Sequence, residues 1–329
     1  MRKTSQDQDH TMPSLRPDAA DPLRAVTVGS DSRGECSDSP LPSQDLGDAK
    51  TTTSELQVLL HQLERRAAGR PVERCRYRLS AEDWNRLTKE YEQELESVRY
   101  DYFSDTHEFV LKIPHRKHEL IHAEFVILLQ AKIQQLCAKH QMLRPFRAMR
   151  ASDIKSEQGD VLQPDEQIMC HGAGQPGLVL EVGNSQSVKE LNKKAIAIIK
   201  AGKGQIRQVV TVKLHQSSQV DLTDWKTYYT SDCPPKLTAK RVDQVIRNTN
   251  AEPVPGAQLE IPMAGLAPPN LLPDSLRNET IVITAQELCE IVECAEDYHN
   301  PVIEACHEDG PADAECDLSA SSSTSTGLA

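Results

Sequence analysis

Aromatic residues are scarce in this sequence, with 2 Trp, 7 Tyr and 4 Phe among 329 residues, alongside 20 Pro. The mean hydropathy is -0.52. A chain so composed cannot pack along its whole length, so one compact core with disordered flanks is expected, although length alone would allow two domains. No apolar run reaches the roughly 18 residues of a membrane span. The N-terminal MRKTSQDQDHTMPSLRPD also lacks the apolar stretch of a secretory signal. An intracellular protein of cytoplasm or nucleus is expected. No CxxC pair occurs among the nine cysteines, which excludes zinc-ribbon spacing. Without a secretory signal, they read as reduced thiols. Lys and Arg are absent from Thr284 to Ala329, where 11 acidic residues lie, so the net charge of -12 falls to -1 without that tail. Acidity is therefore a property of the tail. Between Val182 and Asn250, 12 Lys+Arg face five Asp+Glu, a balance that does not exclude a polyanionic partner.

Residues 1–52 are rich in Ser, Asp and Pro without hydrophobic periodicity and read as a disordered tail. A short helix is expected over 53–70, with Leu56, Leu59, Leu60 and Leu63 at helical spacing. The next predicted helix, SAEDWNRLTKEYEQELES, carries Trp84, Leu87, Tyr91 and Leu95 along one face. VRYDYF and EFVLKI read as strands. HRKHELIHAEFVILLQAKIQQLCAKH reads as a long helix with Leu120, Phe125, Ile127, Leu128 and Cys137 recurring at helical intervals. QIMC, HGAGQPG and LVLEV have the composition of strand, turn and strand. Ser187 and Glu190 then form a capping box opening a helix with an apolar face of Val188, Leu191, Ala195, Ile198 and Ile199. RQVVTVKL follows as a strand, which the crossover places parallel to LVLEV. The predicted order is helix, three strands, helix, strand, within a domain spanning 71–250. Residues 251–279 read as a Pro-rich linker, 280–299 as an acidic helix and 300–329 as a disordered acidic tail.

A hairpin turn centred near Ala173 pairs positions whose numbers sum to about 346, which sets Asp165 opposite Glu181. Directly opposed Cβ atoms in an antiparallel pair lie about 5 Å apart. Two carboxylates that close repel unless a cation lies between them, and the spacing suits Mg²⁺, a hard ion content with one or two carboxylates plus water. The competing reading makes Asp165 a cap of the Pro164 turn and Glu181 the partner of a lysine.

The segment Pro164-Asp165-Glu166-Gln167, the hairpin, Leu178 to Ser187 (LVLEVGNSQS) and the helix after it resemble the PD-(D/E)XK nuclease superfamily. The likeness is nearest to fungal restriction-endonuclease-like proteins of uncharacterised activity and covers roughly Tyr100 to Leu214. It implies an α/β, restriction-endonuclease-like core and an Mg-dependent (or Mn-dependent) endonuclease. It also implies metal ligation by Asp165 and Glu181. The family lysine is expected two residues after the Glu, where this chain has Gly183. A lysine from the following helix is the expected replacement, with Lys194 preferred for its angle toward the core and Lys189 and Lys193 as the other candidates. By the same resemblance Ser185, Gln186 and Glu124 are supporting candidates.

Two further readings compete. Gly183-Asn184-Ser185-Gln186-Ser187 has the strand-to-helix setting of a G-x-S-x-G nucleophile elbow but ends in Ser. A non-catalytic nucleic-acid or protein-binding module on the same fold would use the basic stripe of Lys189, Lys193, Lys200, Lys203 and Arg207.

Overall fold

The computed structural model describes residues 25–27, 54–72, 75–113, 115–142 and 146–308. In chain order these form β1 (Ala25–Thr27), α1 (Glu55–Ala67), β2 (Arg76–Arg78), α2 (Ala81–Glu90), α3 (Glu92–Glu96), β3 (Arg99–Phe103), β4 (Glu108–Lys112) and α4 (Arg116–Lys139). Then come β5 (Phe146–Ala148), β6 (Ile154–Lys155), β7 (Val161–Leu162), β8 (Glu166–Cys170), β9 (Leu178–Gly183), α5 (Val188–Ala201) and β10 (Gln208–Leu214). The remainder is β11 (Val220–Tyr229), β12 (Leu237–Arg247), β13 (Gln258–Pro262), α6 (Met263–Leu266), α7 (Asp274–Arg277), β14 (Thr280–Thr284) and α8 (Ala285–Glu308).

The β8–β9 hairpin sets the register of the main sheet. Its pairs are Glu166 with Leu180, Gln167 with Val179 and Ile168 with Leu178, the register the turn length predicts. One step beyond, Asp165 lies opposite Glu181. β5 runs antiparallel to β8, and β10 parallel to β9. The crossover between β9 and β10 is α5, whose capping box has both reciprocal bonds, so two otherwise orphaned backbone donors at the helix start are satisfied. With α4 ahead of β5, the order is helix, three strands, helix, strand. This is an α/β core in the element order that the sequence resemblance implies. β11, β12 and β1 extend the same sheet beyond β10.

A second sheet, ordered β2-β4-β3-β7-β6, gathers most of the few aromatics. Trp84 stacks on Tyr102 with centroids 4.2 Å apart, and Tyr100 on Phe109 at 5.2 Å. Such pairs add about 0.5–1.5 kcal/mol each beyond the area they bury. Leu56, Leu59 and Leu63 of α1 are buried in the same cluster, so the 53–70 helix is part of the body rather than a segment preceding it.

The sequence boundaries need four corrections. Residues 251–279 are no linker: they hold β13, α6 and α7, with Leu259, Ile261, Met263, Leu266 and Leu276 buried. The alternation of Leu259 and Ile261, paired against β14, outweighs the prolines around it. The expected helix over 280–299 begins only after β14 and continues through 300–308. Residues 25–27 of the expected N-terminal tail pair with β12, while the rest of both tails lies outside the described residues. The expected helix over 80–97 breaks at Tyr91 into α2 and α3. Two predicted core positions are also exposed, Ile127 (58%) and Val188 (37%). The buried face of α4 is instead Ile121, Phe125, Leu129, Ile133 and Cys137, a single four-residue spacing that Ile127 misses.

Candidate active site

β9 is buried along its whole length. Leu178, Leu180 and Val182 enter the cluster shared with α4, whereas Val179 faces the cluster shared with α5. Glu181 therefore points to the α5 side, where an uncompensated carboxylate would be costly. Lys194 on α5, 2% exposed, meets it at 2.7 Å. The same ammonium lies 3.0 Å from Asp101 Oδ2 and donates to the Gln163 carbonyl at 2.9 Å.

The residue at 183 explains why the lysine comes from a helix. A Cβ on Gly183 would lie 2.6 Å from Leu191 Cδ1, so any side chain there displaces the first buried leucine of α5. Glycine lets α5 close on β9, and that close approach brings Lys194 within reach of Glu181.

Asp165 is 4% exposed and both its oxygens are engaged. Oδ1 accepts from Arg99 at 2.7 Å, and Oδ2 accepts from the Val182 amide at 2.7 Å and faces His118 Nε2 at 3.0 Å. His118 Nδ1 is 3.0 Å from Glu119 Oε1, so both ring nitrogens face carboxylates. Lys112 lies 3.5 Å from Asp101 and also donates to the Gln163 carbonyl. Asp101, 1% exposed, accepts in addition from the Gln163 amide at 2.8 Å.

These charges push the protonation equilibria apart. Burial alone would raise the Asp165 carboxyl, but the His118 hydrogen bond and the charges of Lys112, His118 and Lys194 hold it well below the usual carboxylate range. Burial pushes Glu181 up, with Asp165 and Asp101 adding to the rise and Lys112 and Lys194 opposing it. For His118, burial is overcome by the Asp165 and Glu119 carboxylates, and its pKa is raised. Burial depresses Lys112, whereas the surrounding carboxylates outweigh burial at Lys194 and raise it.

Asp165, Glu181, Ser185 and Gln186 line a cavity of about 440 Å³ together with Arg76, Arg99, Lys112, His118 and Glu119. Asp165, Glu181, Ser185 and Gln186 thus share one cavity, and Lys194, which does not line it, reaches the site through its ion pair with Glu181. Glu124 does not line this cavity; it sits more than a turn beyond His118 and Glu119, which are what α4 brings to it. Lys193 points the other way, to Glu108 at 2.8 Å and over the Phe103 ring at 4.3 Å. Lys189, Lys193, Lys200 and Lys203 line a separate groove of about 1180 Å³, in which Lys203 pairs with Glu157. Arg207 is not among its lining residues. Among the described residues no histidine bonds to Ser185, and His215 is held by Asp221 at 2.7 Å, so no nucleophile elbow is assembled.

Arg99, Asp101 and Lys112 escaped sequence reasoning, whereas His118 and Glu119 are the His-Glu pair at the helix start that the family resemblance includes. A signal was present: RYDYF alternates, yet Asp101 interrupts a strand buried from Tyr100 to Phe103. A carboxylate inside such a strand requires a buried cation.

A divalent ion is implied by the resemblance, and the donor set fits one. Asp165 and Glu181 are hard oxygen donors facing one another across the hairpin, both buried, with Glu181 Oε1 held by the Lys194 ammonium at 2.7 Å. Among the described residues no cluster of three His, Cys, Asp or Glu suits a metal. The fit is therefore to an ion of the Mg²⁺ type, which takes one or two carboxylates and completes its shell with water and substrate phosphate.

No protein-family model matches the sequence, and neither does any curated protein. Among solved structures, the chain is similar to a candidate nuclease belonging to DUF820 from Anabaena variabilis. The identity is 13% and the TM-score 0.35, over 59% of this chain and 90% of that one.

Proposed function

We propose that this chain is a metal-dependent nuclease of the PD-(D/E)XK type that hydrolyses phosphodiesters of nucleic acid, with Asp165, Glu181 and Lys194 as its catalytic residues. One observation carries the proposal. Asp165, just before β8, and Glu181 of β9 are buried at the wall of one cavity, and Lys194 of α5 is buried behind that wall against Glu181. Burying charge is expensive and contributes little to stability, so an assembly of this kind is better explained by chemistry than by folding.

Asp165 and Glu181 would hold the ion. When bound, Mg²⁺ or Mn²⁺ supplies positive charge to the phosphate and acidifies a water for attack. Lys194 supports negative charge developing on the phosphate, a role for which its raised pKa keeps it cationic. The Val182 amide, Arg99 and His118 fix the Asp165 carboxylate in one orientation. One observation favours the alternative, a non-catalytic nucleic-acid or protein-binding module: Arg99 already neutralises Asp165.

Calorimetric titration of Mn²⁺ into the full chain, wild type against Asp165→Ala/Glu181→Ala, decides between them when followed by nuclease assay of the same samples. Binding and cleavage lost together in the double variant support hydrolysis. A wild type that binds no metal eliminates it.

A further inference from the structure

The cavity is walled on both sides. β9 and the turn into α5 form one wall through Glu181, Val182, Asn184, Ser185 and Gln186, while the second sheet contributes Arg76, Val110, Leu111 and Lys112 opposite. The two walls are tied across the rim. Arg76 of β2 pairs with Glu190 in the first turn of α5 and with Glu108 of β4 at 2.5 Å. Beneath this strap, Asp165 and Glu181 retain only 4% and 1% of their exposure.

We propose that the centre accepts single-stranded nucleic acid, one phosphodiester at a time, and excludes the intact duplex; this rests on the hydrolytic reading above. A duplex, whose major groove alone is about 12 Å wide, presents its phosphates on a stiff, broad surface and cannot lower one of them beneath the rim while remaining paired. A single strand has rotatable backbone bonds and can bend a phosphate into a cavity of about 440 Å³. Ser185 and Gln186 supply neutral hydrogen-bonding groups at the cavity edge.

The test measures fluorescence anisotropy and Mn²⁺-dependent cleavage with the full chain, on one labelled oligodeoxynucleotide offered alone, as a blunt duplex and as a duplex with a single-stranded overhang. Preference for the single strand over the blunt duplex by about tenfold or more is expected, because the duplex must open at least one base-pair step to enter and one step is worth about a factor of ten; the overhang should be cut only in its unpaired part. Ser185→Trp, which fills the cavity mouth, should lower single-strand binding toward that of the blunt duplex. Equal binding or internal cleavage of the blunt duplex overturns the inference while leaving hydrolysis intact. Single-strand-selective binding sensitive to Ser185→Trp, without cleavage of any substrate, removes hydrolysis and leaves the inference standing. Selectivity that Ser185→Trp leaves unchanged overturns it, because the strand then binds elsewhere, as in the lysine-lined groove beside α5.

Discussion

Replacing Lys194 by Met is the sharpest probe of the buried centre, because the side chain is similar in length and only the charge is lost. Lys194 faces Glu181 at 2.7 Å and Asp101 at 3.0 Å. Its removal leaves Asp101 with Lys112 at 3.5 Å, and Glu181 with no cation in ion-pair contact. Removing one partner of a buried pair costs about 3–5 kcal/mol, and the surviving Lys112 puts the expected loss toward the lower end. The deficit should depend on pH. Glu181 already has a folded-state pKa raised by burial, so its contribution is fully present below its unfolded value of about 4.3 and is lost as pH rises through the folded value. Without Lys194 the folded value climbs further, and the deficit grows with rising pH and shrinks toward acid. Urea denaturation of both proteins between about pH 5 and 8 reads this directly. In Lys194→Met/Glu181→Gln the charge left unpaired at Glu181 is removed as well, and most of the loss should be recovered. A deficit below about 1 kcal/mol at neutral pH, the range of exposed pairs, or one constant across the window, refutes the buried-cluster account.

Three further perturbations test neighbouring parts of the centre. Arg99→Ala should raise Mn²⁺ affinity about tenfold in calorimetry, since a like charge beside a partly exposed cation site opposes binding by roughly 1–4 kcal/mol; unchanged affinity would show that Arg99 does not compete for Asp165. Gly183→Lys, which writes the family lysine into β9, should destabilise by about 1–3 kcal/mol through overpacking against Leu191, and a variant as stable as wild type would contradict the close approach of α5. Asp101→Asn should lower kcat about tenfold with KM little changed, because it loosens Lys194 without touching substrate; a rise in KM alone would count against a positioning role.

Much of the core was legible in local pattern. Turn length set the hairpin register, Ser187 and Glu190 announced the start of α5, and the β-branched run after it placed β10 beside β9. Helical angle singled out Lys194 from Lys189 and Lys193, since only that position turns with Leu191, Ala195 and Ile198 toward the sheet. Periodicity failed where it was diluted. The stretch 251–279 carries its core residues among prolines, and α4 is apolar on too many sides for its buried face to be read.

The sequence by itself determined the hairpin, the crossover and the pair of opposed carboxylates, because each depends on residues close along the chain and on spacings that backbone geometry fixes. Tertiary structure alone decided that Arg99, Asp101 and Lys112, 82 to 95 positions before Lys194, would close around those carboxylates. Their side chains meet the centre only once the second sheet packs over the first, a juxtaposition that no local periodicity encodes. Tertiary structure also turned an open hairpin edge into a walled cavity, tied across by the ion pair of Arg76 with Glu190 of α5.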